Sequence, residues 1–213
     1  MQIILSAVNS ELLDAWRCIC GDLANVIVHQ GSILELSCDA VVSPANSFGF
    51  MDGGIDRLYS QRFGWQVQKR LQRLIQKKHH GELLVGAAEI VETDSPTISY
   101  LIAAPTMRAP MILENSVNPY LAARAVFLLI KHGVFSEGIL TGESISEVIQ
   151  TVAFPGLGTG VGRVTPDTCA WQVRAAIEEV VLGKHTFPES WMDAQMRHQR
   201  LYTDQTQDLQ YKA

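Results

Sequence analysis

Two short stretches of this 213-residue chain concentrate residue types that can do chemistry. The first is F-P-G-L-G-T-G-V-G, residues 154–162, which places glycine at Gly156, Gly158, Gly160 and Gly162 directly after an apolar run. Glycine weakens a strand or helix interior by roughly 0.5–1 kcal/mol relative to alanine. Four in alternation therefore imply a backbone that must bend freely or that something approaches closely. A strand, a glycine-rich turn and a helix start together present N–H groups and a positive dipole end to an anion. The two commonest phosphate-loop patterns fail here. The run ends G-R-V rather than G-K-[ST], and the third glycine of a dinucleotide fingerprint falls on Val161 or Arg163, depending on the starting glycine. A purely structural turn would need one or two glycines, so a phosphate cradle of neither common kind is favoured.

The second stretch is D-A-V-V-S-P-A-N-S-F-G-F-M-D-G-G-I-D, residues 39–56. An apolar strand ends in a loop carrying Asn46, Ser47 and Asp52, then the Gly53-Gly54 pair, and Asp56 opens the next helix. Ligands of open α/β sheets bind beyond the carboxyl ends of strands. Asn46 offers a donor and an acceptor suited to a ribose hydroxyl. Singly, Asn46 reads as an Asx-turn residue and Asp52 or Asp56 as helix caps. Their density, together with a second glycine loop after another strand, points to one shared site. The six histidines show no H-x-H or H-E-x-x-H spacing, so no metal site is expected, and no G-x-S-x-G elbow is present. The four cysteines form no CxxC pair and read as reduced thiols.

The elements that must position these loops follow from periodicity. Strands are expected at 2–8, 24–30, 39–43, 88–92, 99–105 and 149–155. Helices are expected from Asn9 or Ser10 to Cys20, about 55–63, 65–80, 118–132 and 165–182. The helix at 65–80 carries a basic stripe of Lys69, Arg70, Arg73, Lys77 and Lys78, which reads as a solvated face. Alternating strands and helices, with several strands apolar throughout, predict an α/β sandwich with helices on both faces. Residues 1–183 are expected to form the main domain. Residues 184–213 are expected to add a short helix with an apolar handle (Phe187, Trp191, Met192) and then a polar tail. The formal charge of −5 argues against a nucleic-acid partner. The N-terminus lacks the pattern of a signal peptide and no run is long enough to span a membrane, so a cytoplasmic protein without membrane association is expected. No cofactor is implied, and the oligomeric state is left open.

The two loops in this order, preceded by Gly31-Ser32-Ile33, resemble the macrodomain family, whose members bind ADP-ribose. The likeness spans about residues 24–183. It implies a three-layer α/β/α sandwich around a mixed, mostly parallel sheet, with an ADP-ribose cleft across the strand ends and Gly31, Ser32 and Ile33 near the adenine. Ala45, Asn46, Gly53, Gly54 and Ile55 would wrap the distal ribose and one phosphate. Gly156, Gly158, Thr159, Gly160, Val161 and Gly162 would cover the diphosphate. Asn46 and Asp56 match the residues proposed in hydrolytic members to place and activate a water near the anomeric carbon. An aspartate of ordinary acidity would be ionised for that work at neutral pH. The implied partner is ADP-ribose, or a protein or small molecule carrying it. The sequence departs from the family's pattern in four places. Ser32 replaces an adenine-binding aspartate, Asp52 enters the usual glycine run, S-P-A-N replaces N-A-A-N, and Gly162 stands where an aromatic is common. The acid motif of poly-ADP-ribose glycohydrolases is absent. The implied activity is hydrolysis of mono-ADP-ribosyl or O-acyl-ADP-ribose linkages. The alternatives are a non-catalytic module for ADP-ribose or another nucleotide diphosphate, and a cleft retuned to a different phosphorylated ligand.

Overall fold

The computed structural model describes residues 1–206. Six strands form one sheet: β1 (Gln2–Ala7), β2 (Val26–Gln30), β3 (Cys38–Ser43), β4 (Glu89–Glu92), β5 (Ile98–Ala103) and β6 (Thr151–Phe154). Their spatial order is β2-β1-β6-β3-β5-β4. The first five run parallel, and the edge strand β4 is antiparallel to β5. This is the mixed, mostly parallel sheet that the resemblance implies.

Strand residues alternate between two cores, as the two-residue period of a strand requires. Ile3, Leu5, Ala40, Val42, Val152 and Phe154 face one core, while Ile4, Val41, Ala153 and Leu101 face the other. The first core is covered by α1 (Ser10–Cys20), α4 (Asn118–His132) and α6 (Pro166–Ala176), and α6 packs against both of the others. The second is covered by α2 (Gly54–Phe63) and α3 (Gln66–His79), through Tyr59, Phe63, Val67, Leu71 and Ile75. The helix starts are chemically marked. Asn9 accepts from the Leu12 N–H to cap α1, and Thr165 accepts from the Thr168 N–H to cap α6, which opens on Pro166.

Three local expectations change. The strand expected at 149–155 is shorter: a helical turn, α5 (Ile145–Val148), ends just before it, and the chain pairs only from Thr151 to Phe154. Asp39 holds that start by accepting from the Gln150 and Thr151 N–H groups and the Thr151 hydroxyl. The last long helix leaves α geometry at Ala176 and continues as a π-helical turn, Ile177–Val181. The basic stripe of α3 is paired rather than simply solvated: Arg70 meets Asp94 at 2.7 Å, Lys77 meets Glu137 at 2.8 Å, and Lys78 meets Glu89 at 2.6 Å.

Beyond the π turn lies α7 (Trp191–Gln199). Phe187, Trp191 and Met192 are 93, 72 and 62 % exposed, so they do not serve as a packed handle. The end of the expected polar tail, residues 207–213, lies outside the described residues. No helix among the described residues is long and apolar enough to cross a membrane.

Candidate functional site

Because β2, β1, β6, β3 and β5 run in the same direction, the loops at their carboxyl ends lie along one rim. A cleft of about 440 Å³ follows that rim. With neighbouring strands about 4.8 Å apart, five strand ends span roughly 19 Å. In sheet order the cleft passes Gly31, Ser32 and Ile33 after β2, and Ser6 to Asn9 at the end of β1. It continues past the glycine loop after β6 and Pro44 to Asp56 after β3, and reaches Thr106, Met107 and Pro110 after β5. The candidates Gly31, Ser32, Ile33, Ala45, Asn46, Gly53, Gly54, Ile55, Asp56, Gly156, Gly158, Thr159, Gly160, Val161 and Gly162 all line it. The contributions of β1 and β5, and those of Phe50 and Leu58, are additions that no sequence motif marks.

The four alternating glycines have different causes. A Cβ on Gly156 would run into the Thr159 hydroxyl and lie 2.7 Å from a Leu12 methyl. Gly158 has φ +70°, in the left-handed region that disfavours a side chain. A Cβ on Gly162 would lie 2.6 Å from the Gly158 carbonyl oxygen and 2.9 Å from a Leu113 methyl. Only at Gly160 would a Cβ meet nothing within 4 Å. The reasoning that a structural turn needs just one or two glycines is therefore corrected. This turn folds back on itself tightly enough to require three, and one is left to face open space.

The loop's own hydrogen bonds run through its far side. Gly158 and Gly160 carbonyls accept from the Val164 and Arg163 N–H groups, and the Gly162 carbonyl accepts from Leu113. The Leu157 N–H points back to the Cys169 sulfur. The N–H groups of Thr159, Gly160, Val161 and Gly162 donate to no protein acceptor among the described residues. Backbone N–H groups are obligatory donors, so a row of free ones along a cleft is a site for an acceptor. Across the cleft, α2 begins at Gly53 with no side-chain cap, leaving its first-turn N–H groups open as well. A Cβ on Gly53 or Gly54 would meet nothing within 4 Å. Among the described residues lining the cleft none is Lys, Arg or His. An anion here would be held by backbone N–H groups and neutral polar side chains, without a cation.

Asn46 lines the cleft and also serves its own loop. Its Oδ1 accepts from the Phe48 and Phe50 N–H groups at 3.1 and 3.3 Å, and its Nδ2 donates to the Phe50 carbonyl at 2.9 Å. The side chain organises its own loop, the Asx-turn behaviour of this residue type, and keeps one amide hydrogen to spare. The loop is also tied to the β5 end, where Ser47 donates to the Met107 carbonyl and the Thr106 hydroxyl donates to the Pro44 carbonyl.

Asp56 is not an ordinary surface carboxylate. It is 7 % exposed and accepts at Oδ1 from the Ser43 hydroxyl at 2.5 Å. Burial pushes its pKa up to about 7, and the Ser43 hydrogen bond opposes that rise. The expectation of ordinary acidity is corrected: removal from water penalises the charged form more than one hydroxyl relieves. Ser32 also serves its own chain, capping the short helical turn Ile33–Glu35 by accepting from the Leu34 N–H at 3.3 Å. Its hydroxyl proton remains available. Asp52 is exposed on the rim.

A mixed, mostly parallel sheet between two layers of helices, with a cleft across its strand ends, places the chain among the α/β/α sandwiches. A family model described as Macro domain matches residues 42–173, which include both loops, and this chain belongs to that family. It is 30 % identical over 156 residues to an uncharacterized protein of Aquifex aeolicus, covering 73 % of this chain and 81 % of that one. A macro domain-containing protein of Streptomyces coelicolor is 27 % identical over 167 residues, covering 78 % of this chain and 89 % of that one. Among solved structures, the macrodomain of Mycobacterium tuberculosis DarG aligns with a TM-score of 0.56 at 18 % identity, covering 70 % of this chain and 88 % of its own. The Oceanobacillus iheyensis macrodomain with ADP aligns with a TM-score of 0.57 at 17 % identity, covering 81 and 84 %.

Proposed function

We propose that the cleft binds ADP-ribose and that the protein hydrolyses mono-ADP-ribosyl or O-acyl-ADP-ribose conjugates. The observation that carries the binding step is the row of unpartnered N–H groups at Thr159 to Gly162, around the one glycine that faces open space. A diphosphate offers several acceptor oxygens to such a row, and the open start of α2 supplies a second set of donors. Membership in the Macro family and the ADP-containing relative favour a nucleoside diphosphate over an unrelated anion. The cleft's length of roughly 19 Å suits an extended dinucleotide-sized ligand. In this reading Gly31 to Ile33 lie at the base and the Asn46 loop lies at the distal ribose.

Asp56 then sits where the conjugate's linkage would lie. With a pKa of about 7 it is poised to orient a water and take its proton at neutral pH. The water oxygen bonds to the anomeric or acyl carbon, the bond to the departing group breaks, and that group leaves with a proton. Asn46 acts through the loop it braces, as a positioning residue. The second reading is a module that binds without turnover. It is favoured by the engagement of the Asn46 side chain in its own loop and by the burial of Asp56. Calorimetric titration with ADP-ribose, followed by release assays on mono-ADP-ribosylated protein and on O-acetyl-ADP-ribose, separates the two. Binding with release that Asp56→Ala abolishes is the expected result. Binding without release from any linkage selects the module, and absence of binding at millimolar ADP-ribose overturns both.

A further inference from the structure

The end of the cleft beside Asp56 carries side chains that binding a diphosphate does not require. Phe50 and Leu58 both line it, yet they are 53 and 46 % exposed. Leu58 follows Gly54 by one helical turn, so it rises from the same face of α2 as the open glycine. Met107 and Pro110, which follow β5 beside β3 in the sheet, also line the cleft. Phe50 is held in place: three hydrogen bonds with the Asn46 side chain fix the backbone from Phe48 to Phe50. An apolar ring on a braced loop is a preorganised contact surface, which loses little conformational freedom when something packs on it.

The charges at this end narrow what could pack there. Among the described residues, Asp52 and Asp56 are the only charged side chains lining the cleft, and Asp56 is turned to Ser43. The nearby Arg108 is held bidentately by Glu82 at 2.7 and 3.2 Å and lies over the Phe48 ring. The lining therefore offers no free cation to an acidic group and no paired carboxylate cage to a basic one.

We propose that Phe50 and Leu58 form an acceptor subsite that binds the group carried on the distal ribose and prefers a flat, apolar group to a charged aliphatic chain. This rests on the ADP-ribose reading of the cleft. The test is calorimetry with three stable probes: ADP-ribose, ADP-ribose with a phenyl group carbon-linked at the anomeric carbon, and the same molecule with a carbon-linked carboxyethyl chain. The phenyl conjugate is expected to bind about five- to tenfold more tightly than ADP-ribose, and the carboxyethyl conjugate no more tightly. Phe50→Ala and Leu58→Ala should each remove most of the phenyl advantage and leave ADP-ribose affinity within about twofold; both side chains are half exposed, so neither change empties the core. If ADP-ribose binds but the phenyl group adds nothing, or if its advantage survives both substitutions, the subsite is overturned and the cleft assignment stands. If no probe binds, the ADP-ribose reading itself fails and the subsite falls with it.

Discussion

Substituting Asp56 by asparagine should make the protein more stable at pH 8 than the native chain, by an amount that vanishes in acid. The side chain is 7 % exposed, with its pKa raised from an ordinary 3.8 to about 7. In the unfolded chain the carboxyl loses its proton as the pH passes about 4, while the folded chain holds its own until about 7. Between those values the folded state binds more protons, so stability falls as pH rises. The contribution is fully present below pH 4, is lost through that window, and is constant above it. Three pH units at 1.36 kcal/mol each set a ceiling of about 4 kcal/mol. The carboxyl lines a cleft open to solvent, which relaxes the penalty, so a difference on the order of 2 kcal/mol is expected. The substituted amide would keep an oxygen to accept from Ser43 without a charge to desolvate. The assay is urea unfolding of both proteins at pH 4 and pH 8, where contributions from other carboxylates cancel in the comparison. A stability difference that stays flat across that range would refute the burial argument, as would a carboxyl NMR titration of Asp56 with its midpoint below 5.

The Ser43 hydroxyl lowers the Asp56 pKa, so Ser43→Ala should move that NMR midpoint upward and shift any Asp56-dependent activity limb toward alkaline pH. Gly160→Glu should fold with stability within about 0.5 kcal/mol of the native chain yet lose at least about tenfold in ADP-ribose affinity, because its Cβ enters open cleft. Gly162→Ala should instead cost about 1–3 kcal/mol in unfolding experiments, because its Cβ would press on the Gly158 carbonyl. Of the four thiols, Cys18 is exposed, while burial pushes Cys20 and Cys169 up to about 12 and Cys38 to about 11. A thiol reagent should titrate one cysteine in the native protein and four after denaturation. Raising salt should leave ADP-ribose affinity unchanged or increase it, and Asp52→Asn should flatten any increase; a tenfold loss with salt would mean that a cation holds the ligand.

The sheet was readable because each strand announces itself locally. A-V-V at 40–42 is apolar on both faces and lies in the middle of the sheet, and Asn9 and Thr165 mark their helix starts by side-chain chemistry alone. The two loop motifs were readable for the same reason: glycine and asparagine are rare enough in such density to demand a cause. What stayed hidden depends on which strands are neighbours. Ser6, Asn9, Thr106, Met107 and Pro110 carry no motif, and they reach the cleft only because β1 and β5 flank β6 and β3 in parallel. The weakened acidity of Asp56 was equally invisible, since it follows from removal of the carboxyl from water in the folded chain, which the hydroxyl of Ser43 on β3 only partly offsets. The partners of the α3 stripe come from residues 89, 94 and 137, which no window along the helix contains.

Both chemical loops divide their residues between building a surface and meeting a ligand, and the division differs from the one their composition suggests. In the glycine loop, Gly156, Gly158 and Gly162 are needed for the chain to close on Leu12, Thr159 and Leu113, and that closure leaves the N–H groups from Thr159 to Gly162 without internal acceptors among the described residues. In the loop after β3, Asn46 braces the backbone at Phe48 and Phe50, and the Phe50 side chain is left half exposed in the cleft. A backbone donor row needs no positive side chain to attract an anion, which fits an acidic protein whose cleft lining, among the described residues, holds no cation. It also leaves the side chains at the rim free to be selected for something other than charge. Gly160, whose Cβ would enter open cleft, and Phe50, half exposed on the braced loop, are two places where a single substitution can change binding while the rest of the fold stays as it is.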